Sequence, residues 1–199
     1  MSFFTTTQAK RTAQSFKESR NMVSKSEASI LAESASEFNR TKYYDIFLSH
    51  SFLDASTILG IKVELERMGY SVYVDWIEDK QLDRTKVNKY TARVLQERMN
   101  QSKCLFFATS DNHSNSKWMP WELGFMDGKK DKAAILPVLD HDPGNDSYSG
   151  QEYLGVYPYI VKSTTQENTN KMTLFVSESS TNYVSFDAWL LGQKPTERN

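Results

Sequence analysis

Between Tyr43 and Leu139 the chain alternates short runs that are apolar throughout with longer stretches whose apolar residues recur every three or four positions. Tyr43-Tyr44-Asp45-Ile46-Phe47-Leu48 reads as a buried strand that breaks at the polar turn Ser49-His50-Ser51. From Asp54 the period changes. Ile58, Leu59, Ile61, Val63, Leu65 and Met68 make one apolar face of a helix, and Gly69 stops it. A second strand, Ser71-Val72-Tyr73-Val74, runs into Asp75-Trp76 and a charged loop through Arg84. A helix follows over about 87–99 with Val94, Leu95 and Met99 inward. Two further strands, Lys103 to Ala108 and Ala133 to Leu139, enclose a helix that carries Glu122 and ends near Gly128. Strands that are apolar on both faces and alternate with helices call for a parallel sheet covered on both sides. Right-handed crossovers make it a flavodoxin-like doubly wound α/β sheet.

The flanks differ in texture. Residues 1–40 are rich in Ser, Thr, Ala, Lys and Glu and contain no Gly or Pro. Ala9, Phe16, Val23 and Ile30 recur every seven residues, with Leu31 and Phe38 continuing a thin apolar stripe. We expect an N-terminal helical or partly disordered extension over 1–40, which needs a partner surface if it is to be helical. The doubly wound domain is expected over 41–165, and a C-terminal extension completing a sheet edge over 166–199. Pro158-Tyr159-Ile160-Val161 is expected at that edge, because proline cannot donate to a ladder.

Composition removes several function classes. The chain has 199 residues, with 24 Lys and Arg against 25 Asp and Glu, so no global field favours nucleic acid or an anionic membrane. The single cysteine, Cys104, lies in an apolar strand and is read as a buried thiol. No apolar run approaches the roughly 20 residues of a membrane span. No secretory leader is recognisable, so a cytoplasmic protein is expected. His113 and His141 have no metal-ligand spacing, and no metal is expected.

In a parallel sheet the loops that follow the strands converge on one edge. Here those loops are Ser49-His50-Ser51, Asp75-Trp76 onward, Thr109-Ser110-Asp111, and the run up to Trp118 and Glu122. Pro120 suits the first turn of a helix, which would place Glu122 in the opening turn and Trp118 one turn before it. A carboxylate beside an indole at such an edge is suited to a ribose and a flat base. A capping acid and a core tryptophan would use the same residue types. His50 is a donor for a phosphate or a ribose, or a plain loop histidine. Lys80, Arg84 and Lys86 suit a pyrophosphate or a solvated charged loop; no glycine-rich phosphate cradle is present.

Three separated segments carry a resemblance. Tyr44-Asp45-Ile46-Phe47-Leu48-Ser49-His50-Ser51, then Leu65 to Trp76, then Ser116-Lys117-Trp118-Met119-Pro120-Trp121-Glu122-Leu123 resemble the successive boxes of a TIR (Toll/interleukin-1 receptor) domain over about 42–161. The resemblance implies that Glu122 is the acid with which TIR enzymes cleave NAD⁺ and that Trp118 shapes the product. It implies further that Ser49, His50, Ser51, Asp75, Trp76 and Ser110 line the substrate. NAD⁺ would be substrate, with no separate cofactor. By the same analogy the chain is similar to stand-alone TIR proteins of bacterial anti-phage systems such as Thoeris. Those self-associate through TIR surfaces and make an ADP-ribose or cyclic ADP-ribose signal for a separate effector. The competing expectation is a non-catalytic TIR adaptor or host-mimic acting by protein–protein contact.

Overall fold

The computed structural model describes residues 1–36, 41–50, 54–74, 89–110, 118–144, 148, 152–164 and 171–198. Five parallel strands form the half of the sheet that the apolar runs specify. They are β2 (Tyr44–His50), β3 (Val72–Val74), β4 (Ser102–Thr109), β5 (Ala133–Leu139) and β6 (Tyr159–Thr164), in the order β3-β2-β4-β5-β6. Three antiparallel strands extend it beyond β6: β7 (Met172–Ser177), β8 (Asn182–Ser185) and β9 (Thr196–Glu197).

Side chains alternate across this sheet and feed two cores. Ile46, Leu48, Cys104, Phe106, Ala134 and Leu136 pack on one side, beneath helix α3 (Ala55–Arg67). Phe47, Leu105, Phe107, Ala133 and Ile135 pack on the other, against α4 (Lys89–Asn100) and α5 (Trp118–Lys130) through Leu95, Met99, Leu123 and Met126. Both faces are therefore covered, as the uninterrupted apolar strands require. Cys104 is fully buried, and that burial pushes its thiol well above the ordinary range. Asp45 ties the strand entrances together. Its Oδ2 accepts from the Ser71 N–H and Oγ, both at 2.8 Å, and its Oδ1 lies 2.8 Å from Lys103 Nζ. Burial alone would raise the Asp45 carboxyl, but the Lys103 and Ser71 contacts outweigh it and hold the group below the usual carboxylate range.

Helix α3 is bounded as its sequence signals indicate. Asp54 accepts from the Thr57 N–H at 2.8 Å as the N-cap, and Lys10 pairs with it at 2.8 Å. At the other end Gly69 adopts φ +101°, a left-handed conformation suited to glycine.

The N-terminal residues are built into the sheet. Phe4 and Thr5, strand β1 (Phe4–Thr5), pair in parallel with Val138 and Leu139. Ser2 exchanges backbone hydrogen bonds with Lys162 at 2.8 and 2.9 Å. Strands β5 and β6 pair directly only at Ile135 and Tyr159, and the first residues of the chain fill the gap where they part. Helices α1 (Thr6–Ser19) and α2 (Glu27–Ser36) then lie against α3. Ala9 and Ala13 are fully buried there, and a Cβ on Gly60 would fall 1.8 Å from the Ala9 carbonyl oxygen. The heptad stripe therefore belongs to the core: Phe16 and Ile30 pack against it, and Leu31 is buried. Val23 departs from it, lying in the turn between the helices with 59 % of its surface exposed. Phe38 falls outside the described residues.

Three expected boundaries are corrected. Helix α5 starts at Trp118 instead of Pro120, so Glu122 is its fifth residue and the first turn holds no acid. Pro120 still falls among the residues whose N–H has no helical partner. The helix passes Gly128 and runs to Lys130, after which Asp131 turns into the left-handed region at φ +52°. The strand after Pro158 is internal, flanked by β5 and β7. Pro158 stands just before it and lends only its carbonyl, which accepts from the Ile135 N–H at 2.9 Å.

Candidate active site

Ser49 is the sixth residue of β2, and alternation sets it on the same face as Phe47, the side covered by α5. Its ladder partner is Phe107. The α5 helix crosses above with Glu122 turned to the sheet, beside the apolar residues Leu123 and Met126. The two polar side chains meet. Ser49 Oγ donates to Glu122 Oε2 at 2.5 Å, with Ser49 2 % exposed and Glu122 fully buried. A hydroxyl donating to a carboxylate over this distance is a charge-assisted bond at the short end of its range. It fixes the Oε2 oxygen of the carboxylate against the end of β2.

The expected site residues separate into groups. Ser49 and Glu122 are brought together. His50, the last residue of β2, is buried, but alternation turns it to the opposite face from Ser49. Ser110 follows β4 at the same sheet edge and is half-buried, its carbonyl accepting from Thr109 Oγ1 at 3.2 Å. Trp118 stands four residues before Glu122 in one continuous helix, which puts the two Cα positions one turn apart. Ser51, Asp75, Trp76, Lys80, Arg84, Lys86 and His113 lie outside the described residues. Among the described residues no group of three or more His, Cys, Asp or Glu converges as a metal site would require, and no helix is long and apolar enough to cross a membrane.

A second buried polar group escaped the sequence reading. Lys162 Nζ lies 2.7 Å from Glu64 Oε2, and the two residues are 3 % and 8 % exposed. Its signal was a single charge inside each of two apolar runs, Tyr159-Ile160-Val161-Lys162 and Val63-Glu64-Leu65. Charges so placed are seldom buried unless paired.

A doubly wound, mostly parallel sheet with a buried carboxylate on the helix that follows β4, held by a serine near the end of β2, fits the TIR-domain class. Comparison with known proteins gives the relationship. The chain is 56 % identical over 161 residues to a Bacillus cereus (strain MSX-D12) protein named probable 3′ cyclic ADP-D-ribose synthase ThsB′, covering 81 % of this chain and 82 % of that one. It is 40 % identical over 85 residues to a Cytobacillus dafuensis protein named "Putative cyclic ADP-D-ribose synthase TIR2", covering 42 % of this chain and 22 % of that one. The chain therefore belongs to the TIR-domain family of these proteins. A scan against protein-family models finds no match.

Proposed function

We propose that the chain is a TIR-domain enzyme that cleaves the nicotinamide–ribose bond of NAD⁺ and closes the remainder into a cyclic ADP-ribose signal. The buried Ser49–Glu122 pair carries this reading, supported by the 56 % identity to a protein named for that synthesis. The nicotinamide of NAD⁺ is already cationic, so the bond to ribose C1′ breaks with its electron pair leaving on the ring and no general acid is needed. The charge that develops on the ribose is positive. One carboxylate held in an apolar, water-poor setting stabilises that charge far more than it would in bulk water.

In this reading Glu122 is the catalytic acid and Ser49 sets its orientation. His50, Ser51, Asp75, Trp76 and Ser110 are assigned to the substrate crevice, with Trp118 as the wall that keeps the adenine end folded toward C1′. Ring closure forms a bond from C1′ to a nucleophilic atom of the same molecule, whose proton is released. Capture by water gives ADP-ribose instead. The depth of Glu122 supports closure, because excluding water favours the tethered nucleophile.

Glu122 has no exposed surface, so a substrate reaches it only when the crevice opens. That observation supports control by self-association through TIR surfaces, a neighbour's contact opening the crevice. A diffusible nucleotide product calls for a separate effector to receive it, and we place this pair in cytoplasmic anti-phage defence.

The test is to incubate purified protein with NAD⁺ over a concentration series, with and without a crowding agent, and to separate nicotinamide from the nucleotide products. We expect free nicotinamide with a cyclic nucleotide in stoichiometric amount, and neither from a well-folded Glu122→Gln variant. Undiminished turnover in that variant would remove Glu122 from the chemistry.

A further inference from the structure

A cavity of about 340 Å³ opens between the C-terminal end of α3 and strands β6 and β7, and none of its lining residues belongs to the crevice around Glu122. Its floor is the buried pair. Lys162 Nζ donates to Glu64 Oε2 at 2.7 Å and to Gln8 Oε1 at 3.0 Å, and it stands 4.4 Å from the centre of the Phe4 ring. Glu64 Oε1 in turn accepts from Thr12 Oγ1 at 3.2 Å. The floor is thus neutral overall, fixed in place and polar, and it ties α1 to α3 and β6.

The rim is not neutral. Arg67 and Lys171 are exposed at the mouth, and neither has a carboxylate partner among the described residues. Three cations and one acid line the space, so it carries a net charge of +2. Arginine's planar fork matches phosphoryl oxygens, and a nearby lysine adds a mobile second charge. The remaining walls are the thioethers Met68 and Met172, soft apolar surface that conforms to a flat ring. The volume lies at the lower end of the roughly 300–1,000 Å³ typical of small-molecule sites. A buried, hydrogen-bonded floor, an unneutralised basic rim and apolar walls are the parts of a nucleotide site.

We propose that this cavity is a second binding site, separate from the catalytic crevice, for an anionic mononucleotide. Its phosphate sits on Arg67 and Lys171 and its base lies against Met68 and Met172. A ligand held there touches α1 through Gln8, the end of α3, and strands β6 and β7, so it locks α1 onto the domain. The proposal stands whether or not Glu122 cleaves NAD⁺.

The experiment is calorimetric titration of the full chain with AMP, adenosine and inorganic pyrophosphate, alongside a spectrum of the protein with ¹³C-labelled methionine methyls. We expect AMP to bind and adenosine to bind at least about tenfold more weakly, a difference of about 1.4 kcal/mol. AMP should shift the Met68 and Met172 methyls and leave Met126, in the core under α5, in place. In the Arg67→Glu, Lys171→Glu double variant AMP affinity should fall by at least about tenfold at low salt, with the ligand-free melting temperature unchanged. Both residues are on the surface, so the fold is retained. Pyrophosphate binding as tightly as AMP would reduce the site to a phosphate sink and overturn the nucleotide assignment. AMP that moves Met126 instead, binds the double variant equally well, or does not bind up to millimolar concentration would overturn the site itself.

Discussion

Gly60→Ala tests whether the N-terminal helix is part of the domain. The added methyl would lie 1.8 Å from the Ala9 carbonyl oxygen and 2.4 Å from its carbon, whereas real Cβ atoms essentially never come within 3.0 Å of a neighbour. The shortfall exceeds an ångström. The atoms in the way are backbone, so no side-chain rotation relieves it, and α1 must move bodily away from α3. That movement opens the layer sealed by Ala9 and Ala13 and strains the Lys162–Gln8 bond. Replacing a helical glycine by alanine gains about 1 kcal/mol of intrinsic helix stability. Overpacking a tight contact costs about 1–3 kcal/mol, and this contact is rigid backbone, so the cost should reach or pass the top of that range. We expect a net loss of about 2 kcal/mol, or a melting temperature lower by about 4–8 °C for a chain of this size. Urea unfolding followed by circular dichroism measures it. Ala9→Gly should not rescue the variant, because the collision is with the carbonyl and not with the Ala9 side chain. A Gly60→Ala protein as stable as the parent, or a complete rescue by Ala9→Gly, would show that α1 does not sit where described.

Three other outcomes are expected. Ser49→Ala removes the donor to a buried carboxylate, a bond worth about 1.5–3 kcal/mol; kcat for NAD⁺ cleavage should fall by about tenfold or more with a smaller change in KM, and Ser49→Thr should recover part of it. Unchanged kcat at unchanged stability would leave Ser49 without a role. The Asp45 carboxyl sits below its ordinary range, so its contribution to stability is complete above the unfolded value of about 3.9 and disappears as pH falls through the folded value. The difference in urea midpoint between the parent and Asp45→Asn should therefore be full at neutral pH and shrink only in acid; a difference that does not vary with pH would contradict the Asp45 contacts to Ser71 and Lys103. Trp118→Ala should raise the proportion of plain ADP-ribose over cyclic product in a chromatographic assay, and an unchanged proportion at measurable activity would make the indole ordinary packing.

The parallel half of the fold was legible because its strands are short, apolar and separated by amphipathic helices with clear stops. Asp54 and Gly69 bracket α3 as read, and Ala133 to Leu139 is a strand over the full expected span. Strand β1 was not legible. Phe3 and Phe4 are too short a run to show a period, and the pairings of Phe4 with Val138 and of Ser2 with Lys162 are set by how two distant strands part. Helix α5 began earlier than expected because proline tolerates any of the first N–H positions, not only the first residue. Glu122 is legible as a candidate from its residue type and its place on a helix after a strand. Its bond to Ser49 needed the face on which β2 presents each residue, and that depends on the register of the sheet. The Lys162–Glu64 pair needed three elements together, α1, α3 and β6, and nothing local announces it.

The inserted first strand also orders events in time. Ser2 bonds to Lys162 across a separation of 160 residues, so on a ribosome the N-terminal segment emerges long before the backbone it must join. Until β5 and β6 have been synthesised and have parted beyond Ile135, Phe3 and Phe4 have no sheet to enter, and the apolar face of α1 waits for α3. The nascent chain must therefore carry two adjacent phenylalanines unburied through most of its synthesis. Closing the sheet with this early-made segment is then among its last folding steps, a long loop to close and a slow one.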